Sequence, residues 1–416
     1  MADFQSLPNE LLYEIMTYLA GSQGNQPALK YLCSMSRQLN AIAKPSLYTY
    51  FNDGIENGQT LEQGLRRRRL FLRSNLRKSE LIRYVKCAVL GPLRYPKTIL
   101  SDIQPEDRDL LLSATFCLGL DKDPMWQNQM SNGYTGDAEL ILLLCSLTSL
   151  ESLTLTFSDL PASCWWTSRI ASIHTALRSV TIVAPEWRRW KYWHAQCPLS
   201  RFLQLPTLDT LTLSGCKRNS GSGAEPGHFW NTFRLCNNST VKHLKLDNAV
   251  LSHRQIRDIF RATPNITSFS YDGCYEQREV TSSKQILELL YPFRQQLQVL
   301  AIHMSKKDMV QPEVGYDIAV SNATGNHQEE RSLRGFTKLE ELCLDMFLVT
   351  GPANSLVHED VLVRFLPPKL RSLSLVNENF AHMNALWKLA DSGPLLFPDL
   401  EGFMHLDGIP KVSRPP

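Results

Sequence analysis

The sequence predicts an α/β fold: a small three-helix segment at the N-terminus, then an irregular solenoid with parallel strands on the inner face and helices on the outer. Three observations predict it. Three short amphipathic stretches fall within the first fifty residues. From residue 85 onward one apolar spacing keeps returning, at steps of 25 to 42 residues after the first. The composition, 43% apolar and 20% charged, is that of a folded chain with room for two or three domains.

The helical segment opens with SLPNELLYEIMTYL, residues 6–19. Pro8 sits where a helix begins and its missing N–H costs nothing, and Glu10 suits the positive end of the dipole. Leu11, Leu12, Ile15, Met16 and Leu19 then make a wide apolar stripe at helical spacing. GSQGNQ breaks the chain at 21–26, and PALKYLCSMS carries Leu29, Leu32 and Met35 into a second helix. The third, SRQLNAIAKPSLYTYF, carries Leu39, Ile42 and Ala43 before Pro45 ends or kinks it. Three helices this short bury too little to stand alone, so their apolar faces call for a partner.

These residues carry a resemblance. LPNELLYEIMTYL is similar to the opening LPxELLxxIxxYL of fungal-type F-boxes, and MSRQLNAIAKPSLYTYF resembles the closing helix with its terminal PxLY. The resemblance implies an F-box over residues 1–51 that docks on the Skp-family adaptor of an SCF (cullin–RING) ubiquitin ligase. It carries the docking face to Leu7, Pro8, Leu11, Ile15 and Leu19 of the first helix, with Leu32, Ser36, Leu39, Ile42, Pro45 and Tyr48 completing it. Six such side chains offer roughly 10–15 kcal/mol gross, enough for a micromolar or tighter complex after ordering costs.

Residues 52–84 read as a basic helical linker. Leu70, Leu72, Leu76 and Leu81 pack one face, and Arg66–Arg69 are either a nuclear import signal or a solvated helix face.

The repeats follow over 85–405. The spacing apolar-x-x-apolar-x-apolar occurs at Val85, Ala88, Leu90; at Leu150, Leu153, Leu155; at Leu177, Val180, Ile182; and at Leu208, Leu211, Leu213. It returns at Val241, Leu244, Leu246; at Ile266, Phe269, Tyr271; and at Leu297, Leu300, Ile302. Leu339, Leu342, Leu344, then Leu370, Leu373, Leu375 and Leu400, Phe403, His405 close the series. In each triplet the last two anchors point inward from a short strand, and the leading one packs beneath the turn that precedes it. Helical stretches such as DAELILLLCSL, SHRQIRDIFRAT and SSKQILELLYPF supply the crossovers that parallel strands require. Self-similarity at this period reads as a leucine-rich-repeat solenoid. The gap between Ala88 and Leu153 spans two ordinary repeats and predicts a further strand near Ala114–Leu118. Inserted loops are expected near 215–228 and 305–335, and a loose tail over 406–416.

Two surfaces are candidates for a target protein. If the anchors face inward, Thr154, Thr181, Thr212 and Lys245 face outward, with His243, Asp247, Asp272, His303, Glu341 and Asp345 beside them; hydroxyls on a solvated sheet are also ordinary surface. In PEWRRWKYWHAQ, Trp187, Trp190 and Trp193 recur at spacing three among basic residues. That segment is open to three readings: tryptophans buried in the helix layer, a protein-binding patch, or stacking on nucleic acid.

Signs of catalysis are few. No nucleophile elbow, zinc motif or phosphate loop occurs, and His194 with Cys197 is the nearest approach to a Cys–His pair. The expectation is a non-enzymatic chain with no metal and no cofactor. A net charge of +3 gives no bulk argument for nucleic acid or membrane. The ten cysteines are scattered singly, as in reduced compartments, and no secretory signal opens the chain, so cytoplasm or nucleus is expected. The function implied is that of a substrate receptor, tied to the adaptor through residues 7–51 and to an unidentified target through the repeats. The alternatives are an interaction scaffold outside ubiquitination and, in another class, an enzyme built around His194 and Cys197.

Overall fold

The computed structural model describes residues 7–20, 25–53, 61–77, 80–91, 105–117, 119–122, 124, 126–127, 135–156, 173–183, 202–215, 239–249, 251–274, 283–305, 332–345, 359–376 and 383–405. Compactness divides them into two units, one up to Leu208 and one from Asp209.

The first unit opens with α1 (Asn9–Ala20), α2 (Gln26–Met35) and α3 (Arg37–Tyr48). The carbonyl of Pro8 accepts the first helical bond, from Leu12 N–H at 3.1 Å. Leu12, Met16, Leu29, Leu39, Ile42 and Ala43 close a common interior. Polar clamps hold the helices together: Gln38 donates to Asn9 Oδ1 at 2.9 Å, and Asn40 Nδ2 to the Cys33 carbonyl at 2.8 Å. Ser36 caps α3, its Oγ accepting the Leu39 N–H at 3.1 Å. Pro45 does not end α3, which continues to Tyr48 because Ala43 and Ser46 on either side are buried.

Strand β1 (Tyr50–Asn52) follows α3 directly, and α4 (Leu61–Arg77) packs on it. Phe51 and Phe71 stack with centroids 3.9 Å apart. The approach is close enough that a Cβ on Gly64 would lie 2.7 Å from the Asp53 carbonyl oxygen. The basic run divides between outside and inside: Arg66 is exposed and Arg67 half-buried. Arg68 is buried against the Asp53 carboxylate, and Arg69 Nε meets the buried Glu139 at 2.8 Å. Leu70, expected inside, is exposed, while Leu72 is buried.

Strands β2 (Cys87–Leu90), β3 (Ser152–Thr156) and β4 (Ser179–Val183) complete this unit. Each pairs in parallel with its sequence neighbour, in the order β1-β2-β3-β4. The strand expected near Ala114–Leu118 is absent among the described residues. That stretch ends α5 (Pro105–Cys117), and β2 pairs straight onto β3. A helix wins here because PEDRD supplies a start signal, Pro first and acids in the first turn. Helix α6 (Thr135–Ser146) holds the expected DAELILLLCS.

The second unit contains β5 (Thr210–Ser214), β6 (His243–Ala249), β7 (Ser268–Cys274), β8 (Val299–Ser305), β9 (Glu341–Asp345), β10 (Ser372–Val376) and β11 (Gly402–His405). They too are parallel, each beside its sequence neighbour. Helices α7 (His253–Ala262), α8 (Ser283–Leu290), α9 (Val361–Phe365) and α10 (Met383–Leu396) lie between strands in sequence. Ser252 and Gln255 form a capping box at the start of α7. Phe260 of α7 reaches Phe269 of β7 with centroids 4.9 Å apart.

All nine triplets from Val85 to Leu375 are buried. Their register is strict: Leu211, Leu244, Phe269, Leu300, Leu342 and Leu373 form one buried row, and Leu213, Leu246, Tyr271, Ile302, Leu344 and Leu375 another. The residue after each leading anchor adds a second repeat that the apolar pattern does not reveal. The Lys86 carbonyl accepts the N–H groups of Glu151 and Ser152, and the Lys242 carbonyl those of Thr267 and Ser268. The Gln298 carbonyl does the same for Glu340 and Glu341, and that of Glu340 for Arg371 and Ser372. Where neighbouring positions of this series are charged, their signs are opposite, and three such neighbours pair: Lys86–Glu151 at 2.9 Å, Lys242–Asp209 at 3.1 Å and Arg371–Glu340 at 3.3 Å. Each pair is exposed and contributes about 0–1 kcal/mol, fixing register more than stability.

Candidate partner-binding surfaces

The apolar stripe of α1 divides between two faces. Leu12 and Met16 point into the three-helix interior, whereas Leu11 is 46% exposed and Ile15 is half-buried. Tyr18, 83% exposed, stands three residues beyond Ile15 and so on the same face. On α2, Tyr31 and Met35 are exposed four residues apart. The sequence placed Met35 on the apolar side of its helix, and the structure places it outside. Tyr18 and Tyr31 were not singled out by the sequence, because they lie off the apolar stripes read from leucine, isoleucine and methionine.

Several of the adaptor-face residues stand elsewhere than the resemblance implied. Leu39 and Ile42 belong to the interior, packed with Leu12 and Leu29, and offer nothing to a visitor. Ser36 is committed to the cap of α3. Leu7, Leu19 and Leu32 are partly buried against the same interior. Pro8 is exposed, and Pro45 and Tyr48 are half-buried. What remains as one outward face of α1 is Leu11, Ile15 and Tyr18.

The outward rows of the strands form a second surface. In the first unit Thr154 and Thr181 are register partners, with Val89 beside Thr154, and the row above them is Cys87, Ser152 and Ser179. These residues are half-buried and uncharged. In the second unit one row runs Thr212, Lys245, Ser270, Ala301, Cys343, Ser374, and another runs Thr210, His243, Ser268, Val299, Glu341, Ser372. His243, Lys245 and Glu341 are exposed, as expected.

At the ends of these strands Asp247 lies 3.8 Å from Lys245 and accepts from Ser214 at 3.4 Å. Asp272 lies beside His303, Oδ1 to Nδ1 3.3 Å. Asp345 departs from the expectation. It is 1% exposed, because alternation stops at the last residues of β9 and β10, where Asp345 and its partner Val376 are both buried. Burial pushes the thiols of Cys343 and Cys87 up, with Ser374 pulling Cys343 the other way, so neither is held as a thiolate.

Trp187, Trp190, Trp193, His194 and Cys197 lie outside the described residues, as do 216–238, 306–331 and 406–416. No described helix is long and apolar enough to cross a membrane.

No protein-family model and no curated protein matches the chain. The reading of its function therefore rests on these two surfaces and on the resemblance of residues 7–51.

Proposed function

We propose that the chain is a substrate-recognition subunit of an SCF-type ubiquitin ligase. Helices α1–α3 act as an F-box that attaches to a Skp-family adaptor, and the strand-bearing part acts as a leucine-rich-repeat solenoid that holds a target protein. The observation that carries the reading is the division of α1. Its interior face is fully used by α2 and α3, and Leu11, Ile15 and Tyr18 are left for another molecule. Sequential parallel pairing of strands built on one apolar triplet supports the solenoid part.

The energetics are sufficient. Covering Leu11, Ile15, Tyr18, Tyr31 and Met35 at roughly 1.5–3 kcal/mol each yields about 8–15 kcal/mol gross before ordering costs. In this reading the chain does no chemistry. It holds target lysines near a ubiquitin-loaded enzyme recruited elsewhere, raising effective concentration. The outward rows Thr212–Ser374 and Thr210–Ser372 are the target surface.

Affinity purification tests the reading. The full chain should bring down a Skp-family adaptor together with a cullin, and Leu11→Asp/Ile15→Asp should lose both. Recovery of both by the variant would end the assignment. Adaptor without cullin from the parent would make the chain a scaffold outside ubiquitination.

A further inference from the structure

Four residues of helix α7 are not buried, and every one is arginine or histidine: Arg254 and Arg261 are exposed, His253 and Arg257 half-buried. At 100° per residue His253, Arg257, Arg261 and Arg254 fall within one arc, while Gln255, Ile256, Asp258, Ile259, Phe260 and Ala262 are buried. Neither Arg254 nor Arg257 has a carboxylate partner among the described residues. Arg261 lies 3.8 Å from the buried Asp258.

The arrangement runs against what helix stability favours. A solvated helix face ordinarily mixes signs, and its first turn favours acids. Here the first turn holds no acid, the capping box starts the helix without one, and Arg254 sits at the positive end of the dipole. A local choice that opposes the fold's own preference points to a use elsewhere.

We propose that this arc docks an acidic segment of a partner protein. Arg254 to Arg261 spans about 10 Å of helix, which three or four residues of an extended chain cover. Guanidinium forks pair with carboxylates through two parallel hydrogen bonds, a geometry lysines do not offer. Nucleic acid is the weaker fit, since duplex binders engage on the order of 6–10 phosphates and this arc presents three arginines on a chain of net charge +3. The inference does not depend on the adaptor reading, because it concerns another helix and another partner.

Fluorescence anisotropy with a labelled peptide of eight glutamates, titrated with the full chain, tests it. The peptide should bind, with affinity falling as salt rises. Arg254→Glu/Arg257→Glu should weaken binding at least tenfold, and Lys388→Glu on α10 should leave it unchanged. Arg254→Gln/Arg257→Gln, with melting temperature measured alongside, separates lost binding from lost folding and should also weaken the complex. Equal affinity in the glutamine variant, or no peptide binding at low salt, would overturn the proposal. Tighter binding of a single-stranded DNA octamer, lost in the same variants, would overturn it in favour of nucleic acid.

Discussion

Arg68 of α4 reaches the carboxylate of Asp53, just past β1, and both side chains are buried. The other oxygen of Asp53 accepts the N–H of Gly91, just past β2. One carboxylate thus ties α4 to two adjacent strand ends. Removing one partner of such a pair leaves an uncompensated buried charge, at a cost of about 3–5 kcal/mol. Arg68→Ala should lower the urea midpoint of the first unit accordingly, and Arg68→Met/Asp53→Leu should recover part of the loss.

Gly64 makes the same junction possible. A methyl group there would meet the Asp53 carbonyl oxygen at 2.7 Å, and backbone cannot swing aside as a flexible side chain can. Gly64→Ala should destabilise by about 1–3 kcal/mol although alanine is the better helix former. A variant as stable as the parent would show that α4 sits further from β1.

His174 gives the first unit a pH dependence. It is buried, and burial lowers its pKa from 6.5 to about 4, opposed by the carbonyls of Leu144 and Leu147. The folded state holds the neutral ring, while the unfolded chain takes up a proton near its ordinary pKa. This contribution is therefore complete above about pH 6.5 and is lost as pH falls toward about 4, by a few kcal/mol in all. Urea midpoints at pH 7 and pH 5 should differ more for the parent than for His174→Gln.

Leu39 and Leu11 separate folding from binding. Leu39→Ala empties part of a closed interior and should cost about 2–5 kcal/mol. Leu11→Ala changes an exposed position and should shift stability by less than about 0.5 kcal/mol while weakening partner capture. Reversed effects would put the binding face on the other side of α1.

The repeat strands were legible because two anchors at i and i+2 must share a face, so the triplet carries its own geometry. Strand β1 was not legible, since YFN is three residues long and lacks the leading anchor. Arg68 and Arg69 were not legible as inward because a run of charge reads as surface, and the carboxylates that draw them in stand 15 and 70 residues away. The α1 stripe was legible as apolar but not as two faces. Leu11 and Leu12 stand about 100° apart on the wheel, and only α2 and α3 decide which is covered. Asp345 followed the alternation in sequence and escaped it where β9 ends.

The central claim is that Leu11 and Ile15 face outward to meet an adaptor. The direct measurement is a titration of the purified full chain with a purified Skp-family adaptor, parent against Leu11→Asp/Ile15→Asp, with melting temperature recorded for both. The account predicts a micromolar or tighter complex for the parent, at least a hundredfold loss in the variant, and nearly equal melting. Equal affinity in the two, or no complex with the parent, would contradict it.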